Sequence, residues 1–114
     1  MPTANRLTAR FSAPEPPAQA LARWRSARPD WLPSQYREIE DSYESVTWEW
    51  RHTGGLMKLV GGGFFGGQEV YRLTALFTDD GAGGSRITVN GRADESTREA
   101  IRAAAESYVD GGIV

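Results

Sequence analysis

Three stretches of the chain alternate between apolar and polar side chains, as a β-strand with one buried face does. They run from Asn5 to Ser12, from Val46 to Arg51 and from Glu69 to Thr78. A fourth strand is predicted over Ser85 to Arg92, after a hairpin loop rich in aspartate and glycine. Because no helix-length crossover separates the later strands, the pattern predicts a mostly antiparallel sheet.

The middle of the chain is predicted to be extended from Tyr36 to Arg51, with a bend or bulge at Asp41-Ser42. Before this segment, Trp31 lies in a connection that contains two prolines, and we expect it to dock onto the core. After it, Thr53-Gly54-Gly55 predicts a tight turn. Leu56 to Val60 is then predicted to return as a partner strand.

A first helix is predicted from about Pro16 to Ala27. Proline is tolerated in the first turn of a helix, where its missing N–H is not needed. Ala18, Leu21 and Trp24 recur near the helical period and predict the buried side.

A second helix is predicted at the end of the sequence. Ser96 with Glu99 three residues later fits a capping box, and Gly111 fits the position just after a helix. The apolar stripe of this helix is formed by Ile101, Ala104, Ala105 and Tyr108.

These elements predict one α+β domain over residues 1–114, with a mostly antiparallel sheet of four to six strands packed against two helices. The predicted order is β-α-β-β-(β)-β-β-α. The side chains expected to be largely buried are Phe11, Trp48, Trp50, Leu73, Phe77, Val89, Ile101 and Tyr108.

The order of segments resembles that of a known superfamily. Leu7-Thr8-Ala9-Arg10-Phe11-Ser12-Ala13-Pro14 leads into a helix, Trp31-Leu32-Pro33 follows, and Gly84-Ser85-Arg86-Ile87-Thr88-Val89 precedes a terminal helix. This arrangement is similar to the START-like, helix-grip superfamily of polyketide cyclases and lipid-binding proteins, in a shortened form. The resemblance implies a sheet that curls around the terminal helix, with an apolar ligand cavity between them. A helix-on-sheet domain with a filled core is the competing expectation, because the Ala-rich terminal helix would close such a cavity.

The composition excludes several kinds of functional site. The chain has no cysteine and one histidine, His52, so a site needing thiolates or two imidazoles is excluded, and no metal or cofactor is predicted. A net charge of −2 and a pI near 5.4 argue against a dedicated nucleic-acid binder. The sequence shows neither a signal peptide nor an apolar run of membrane-spanning length, so we expect a cytoplasmic protein.

For the charged residues that could carry out chemistry, structural roles are the favoured interpretation. Glu38, Glu40, Asp41 and Glu44 form an acidic cluster, for which a solvated strand edge is a better explanation than acid-base chemistry or a calcium site. His52 has no acid near it in the sequence, so it is interpreted as a surface residue and not as a general base. No catalytic residue is assigned.

The most unusual segment is Gly61-Gly62-Gly63-Phe64-Phe65-Gly66-Gly67. It matches neither a P-loop nor a dinucleotide-binding loop, because it precedes a strand and lacks the following Lys-Ser/Thr. Phe64 and Phe65 are predicted either to contact a ligand or partner, or to fold back as core plugs.

The aromatic residues complete the candidate site. Trp48 and Trp50 share one strand face, and together with Phe64, Phe65, Tyr71 and Tyr108 they form the predicted ligand-binding or partner-binding set. The leading hypothesis is a non-catalytic binding module for an apolar small molecule or a protein partner, using the space between sheet and C-terminal helix and the Gly/Phe loop. A small cyclase-like or hydrolase-like enzyme and a structural homodimer subunit are the alternatives.

Overall fold

The computed structural model describes residues 5–53 and 68–110. Their elements are, in order, β1 (Arg6–Ala13), α1 (Pro17–Ser26), β2 (Arg37–Asp41), β3 (Ser45–Thr53), β4 (Gln68–Asp79), β5 (Ser85–Arg92), α2 (Glu95–Ala104) and β6 (Ser107–Asp110). The strands form one six-stranded sheet in the order β2-β3-β4-β5-β1-β6, and all neighbours are antiparallel. The predicted α+β class with an antiparallel sheet is therefore confirmed.

One face of the sheet, called here the inner face, carries the core. Alternation along the strands places the fully buried Trp48, Leu73 and Val89 on this face, as predicted. Helix α1 packs on it against β3, β4 and β5 through Leu21 and Trp24. Of the other residues predicted to be buried, Phe77 and Ile101 are buried, whereas Phe11, Trp50 and Tyr108 are only partly buried against the core.

Helix α1 forms where the sequence predicts it. Pro17 occupies the first helical turn, and the helix ends at Ser26, with the backbone N–H of Ala27 donating to the Arg23 carbonyl. Ala18 is exposed, and Ala20 takes the buried position next to Leu21. The buried side is therefore rotated by part of a turn from the predicted stripe.

The extended segment predicted from Tyr36 to Arg51 is a hairpin of two strands. The Ser42 hydroxyl accepts hydrogen bonds from the backbone N–H groups of Glu44 and Ser45, both at 3.2 Å, and so stabilises a tight turn. The predicted bend at Asp41-Ser42 is the start of this turn. A register shift between Glu38 and Glu40 adds a bulge to β2.

The start of the C-terminal helix differs from the prediction. Asp94, not Ser96, is the N-cap residue: its carboxylate accepts from the Thr97 backbone N–H at 3.2 Å and from the Thr97 hydroxyl at 2.6 Å. A carboxylate at this position also interacts favourably with the positive end of the helix dipole. Ser96 is exposed.

The end of this helix also differs. The helix stops at Ala104, and Tyr108 lies in strand β6, where it pairs with Ala9 of β1. Tyr and Val favour strands, and pairing begins where the Glu106 N–H donates to the Arg10 carbonyl at 3.0 Å. Edge pairing with β1 therefore replaces the predicted last helical turn. The predicted C′ residue Gly111 lies outside the described residues.

Two further predictions fall outside the described residues, namely the turn after Thr53 with the strand from Leu56 to Val60, and the Gly/Phe segment 61–67. Along the chain, these residues connect β3 to β4. Among the described helices, neither is long and apolar enough to cross a membrane.

Candidate functional site

A cluster of aromatic rings fills the inner face beneath α1. Trp24 lies at its centre, with its ring centroid 5.4 Å from Phe77, 5.7 Å from Phe11 and 6.4 Å from Trp48. Trp31 joins it, stacked on Phe11 at 5.7 Å and edge-on to Trp48 at 6.1 Å. These distances are those of favourable aromatic pairs, so the cluster is a close-packed part of the core.

One side of this cluster is open to a cleft of about 430 Å³. The cleft lies between the end of α1, the following loop and the last residue of α2. It is lined by Phe11, Arg23, Trp24, Ala27, Arg28, Pro29, Asp30, Trp31 and Ala104. Its volume is within the range of small-molecule sites, and aromatic rings form its floor.

Two arginines occupy the rim of the cleft. The Arg23 guanidinium forms an ion pair with Glu15, and its hydrogen bond is the main reason that the pKa of Glu15 lies below the ordinary value. Arg28 donates to the backbone carbonyl of Pro33. Because each guanidinium has five donors, both arginines keep further N–H groups for an anionic ligand atom.

A second aromatic group surrounds Trp50 at the other end of the inner face. Its ring centroid lies 5.0 Å from His52, 5.5 Å from Tyr71 and 5.7 Å from Tyr36. The Tyr71 hydroxyl donates to Glu69 at 2.9 Å, and burial followed by this hydrogen bond raises the pKa of Tyr71. Trp50 is half-buried, so part of this group is exposed.

The residues of the predicted binding site do not lie together: they are divided between the cluster beneath α1, the group around Trp50 and strand β6. Trp50 and Tyr71 contact each other, whereas Trp48 is 2% exposed and belongs to the cluster beneath α1. Tyr108 lies on β6, separated from β3 by three strands, with the Arg102 guanidinium 5.2 Å from its ring. Phe64 and Phe65 lie outside the described residues.

Sequence reasoning missed the residues of the cleft. In the sequence, Phe11 lies in a predicted strand, Trp24 in a predicted helix and Trp31 in a connection where it is predicted to be an anchor. Trp31 is buried, as predicted for an anchor. The available signal was the number of large aromatic residues outside the central strands, but no spacing rule joins residues from a strand, a helix and a loop.

Two residues of the acidic cluster form ion pairs with helix α1. Arg25 of α1 reaches Glu38 at 3.2 Å and Asp41 at 2.6 Å, and all residues of β2 are exposed. Within residues 5–53 and 68–110, no group of three or more His, Asp or Glu side chains is arranged to hold a metal ion. The exposure of β2 and its ion pairs with α1 fit the predicted solvated strand edge.

A polar contact fixes the loop before β2 against the start of α2. The fully buried Tyr36 donates from its hydroxyl to Asp94 at 2.8 Å, and burial raises the pKa of Tyr36. Burial alone would raise the pKa of Asp94, but hydrogen bonds from Thr97 and Tyr36 outweigh it and lower that pKa. This contact has a structural role.

The described residues thus define an α+β protein with an antiparallel sheet, a cleft floored by aromatic rings and a second, partly exposed aromatic group. Compared with models of protein families, with curated proteins and with solved structures, the chain matches none.

Proposed function

We propose that this protein is a non-catalytic binding module that holds an apolar small molecule in the cleft between Phe11, Trp31 and Ala104. The observation that supports this function is the cleft itself, which has the volume of a small-molecule site and a floor of aromatic rings. In this proposal the chain is a shortened relative of the helix-grip superfamily. Its ligand lies near the end of the C-terminal helix, while α1 covers the inner face.

Two arginines and one acid, Asp30, line the cleft, and the balance of these charges favours a ligand with one anionic group. An apolar body would lie mainly against the half-buried ring of Phe11, with the small exposed parts of Trp24 and Trp31 beside it, since flat rings pack well on aromatic side chains. A carboxylate or sulfonate at one end would then accept from Arg23 or Arg28, whose guanidinium groups match such anions in geometry.

A fluorescent probe with these properties tests the proposal. Anilinonaphthalene sulfonate has an aromatic body and one sulfonate, and its binding is measured by fluorescence titration. Ala104→Trp fills the cleft and is expected to weaken binding at least about tenfold, which is the effect of losing most apolar contact area. Ala103→Trp is the matched control, because Ala103 is exposed on the same helix and does not line the cleft. Equal binding by the two variants would contradict the proposal.

A protein partner is the second candidate, and the half-buried Trp50 favours it. Trp50 and Tyr71 lie at the end of the sheet where β3 and β4 lead into the segment that contains Phe64 and Phe65. Replacement of both phenylalanines by Ser is expected to weaken partner binding while the free energy of unfolding stays nearly unchanged. A marked loss of stability, measured by urea unfolding, would instead identify them as core residues.

An enzyme of the cyclase or hydrolase kind would use His52 or a nearby acid. His52 is exposed, packs on the Trp50 ring and lies opposite Glu69 in the β3–β4 register. In the binding proposal His52→Ala leaves the affinity for the probe unchanged. The enzyme alternative requires this variant to abolish turnover of a substrate that the wild-type protein converts.

A further inference from the structure

The face of the sheet opposite the helices, called here the outer face, is covered by no described element. Helix α1 packs on the inner face, and Ala104 of α2 lines the same cleft as Trp24, so both helices lie on that side. The strand register identifies outer-face residues that lie side by side. Arg37, Glu49 and Arg72 are neighbours on β2, β3 and β4.

The outer face combines small polar residues with arginine. Four side chains form a row across β3, β4, β5 and β1, namely Thr47, Thr74, Asn90 and Thr8. Six arginines lie around this row, namely Arg6, Arg10, Arg37, Arg51, Arg72 and Arg86. The described acids on this face are Glu40 and Glu49, and two more lie at its edge. Glu106 accepts a hydrogen bond from Ser12, and Asp80 lines a hollow together with Arg10 and Arg86. The outer face is therefore basic, although the whole chain has a net charge of −2.

Glu49 orients two of these arginines. Its side chain is 7% exposed and accepts from Arg51 at 2.9 Å and from Arg72 at 2.6 Å. The hydrogen bond from Arg72 is the main cause that lowers the pKa of Glu49, so this carboxylate stays charged. The two arginine side chains remain 58% and 56% exposed. One buried carboxylate thus positions two guanidinium groups that still face solvent.

We propose that the outer face binds an acidic, amphipathic segment of a partner protein. Guanidinium groups recognise carboxylates with two parallel hydrogen bonds, and arginine is enriched in protein interfaces. Leu76, which is 40% exposed between Ser45 and Thr88, supplies an apolar contact in the middle of the face. In the row of small side chains Asn90 is exposed and Thr74 is half-buried, whereas Thr8 and Thr47 are buried. The segment therefore contacts Asn90, Leu76 and the surrounding arginines.

Two other occupants fit this surface less well. Single-stranded nucleic acids bind largely by stacking on aromatic side chains, and none of the described residues on the outer face is aromatic. A second copy bound through the same face would bring two sets of arginines together, and like charges in contact oppose association.

Fluorescence anisotropy with two labelled synthetic peptides of equal length tests the proposal. One contains glutamate and leucine in amphipathic helical order, and the other has serine in place of each leucine. The wild-type protein is expected to bind the Glu/Leu peptide more tightly than the Glu/Ser peptide. Leu76→Ser should remove this difference between the peptides.

Charge variants locate the binding surface. Arg10→Gln with Arg86→Gln is expected to weaken Glu/Leu binding at least about fivefold, because both residues contribute to the positive potential of the outer face. The control pair, Arg25→Gln with Arg102→Gln, makes the same change in net charge but on the two helices. This pair should weaken binding of the Glu/Leu peptide by less than about twofold. Circular dichroism establishes that all variants are folded.

Three results would overturn the proposal. They are no binding of the Glu/Leu peptide by the wild-type protein, equal losses in the two arginine pairs, and tighter binding of a DNA oligonucleotide than of the peptide. Ala104→Trp should leave peptide binding unchanged, because Ala104 lies on the other side of the sheet. The outer face and the cleft are therefore tested independently.

Discussion

Asp94 shows why a local motif points to the wrong N-cap residue for α2. Ser96 and Glu99 fit the spacing of a capping box, but Asp94 is held in place by the Tyr36 hydroxyl, 58 residues away in sequence. A local motif cannot reveal a partner at that distance. The structure places two hydrogen bonds from Thr97 on Asp94 and leaves Ser96 exposed.

The two candidate caps should therefore differ in their effect on stability. Asp94→Ala is expected to lower the free energy of unfolding by about 1–2 kcal/mol, through loss of the cap and of the Tyr36 contact. Ser96→Ala should change it by less than about 0.5 kcal/mol, as for an exposed residue. Urea unfolding of the two variants measures both values, and a larger loss in Ser96→Ala would contradict the assignment of the cap.

The Asp94 carboxylate also predicts a pH dependence. The pKa of Asp94 is lowered in the folded protein from its ordinary value of 3.8. Ionisation of Asp94 therefore stabilises the fold at pH values above 3.8. This contribution is lost as the pH falls through the pKa of the folded state. Asp94→Asn should be less stable than wild type near neutral pH and should lose less stability on acidification below about pH 4. Thermal unfolding at a series of pH values measures the stability of both proteins. If wild type and Asp94→Asn lose the same stability on acidification, the lowered pKa of Asp94 is contradicted.

Gly91 is a residue that only the structure explains. It has a φ angle of +139°, and a Cβ atom there would lie 2.0 Å from the Arg72 carbonyl oxygen on β4. Gly91→Ala is expected to cost more than about 2 kcal/mol, from backbone strain and steric overlap. Gly81→Ala is the control, because Gly81 also has a positive φ but open space around it, and should cost about 1 kcal/mol. Similar unfolding midpoints for both variants would show that β5 lies farther from β4.

Alternation predicts strands β1, β4 and β5 with nearly correct ends. Each of these strands has one buried face, and a period of two is a direct consequence of that burial. Strand β6 was not predicted because its four residues follow a helix without a break in the apolar stripe. Pairing with β1, a non-local interaction, decides its structure.

Of the two described helices, α1 is expected to contribute more to the stability of the core. Trp24 is 7% exposed and contacts four aromatic rings, so Trp24→Ala should lower the free energy of unfolding by about 3–5 kcal/mol through lost burial and a cavity. Ala18→Ser, an exposed change on the same helix, is the control. Equal stability of the two variants in chemical denaturation would mean that α1 does not pack on the sheet.

The cleft could not be predicted from the sequence. Its aromatic floor combines β1, α1 and the loop after α1, and only the packing of α1 on the inner face brings these segments together. The predicted set of Trp48, Trp50, Tyr71 and Tyr108 assumed one shared surface. The sheet order separates Tyr108 from the others, because β6 pairs with β1 at the opposite edge from β3.

The difference between the two faces of the sheet leads to a prediction about self-association. An exposed sheet face with small polar side chains and Leu76 would favour contact between copies if its charge were removed, because like charges keep such surfaces apart. The triple variant Arg6→Thr, Arg10→Thr and Arg86→Thr keeps strand-forming residues and removes three positive charges from the outer face. We expect its mean molecular mass in light scattering to rise with protein concentration more steeply than that of the wild type.

The control is the triple variant Arg25→Thr, Arg28→Thr and Arg102→Thr. It has the same net charge with an intact outer face and should behave as the wild type does. If the control associates as strongly as the triple variant, net charge and not the outer face governs association.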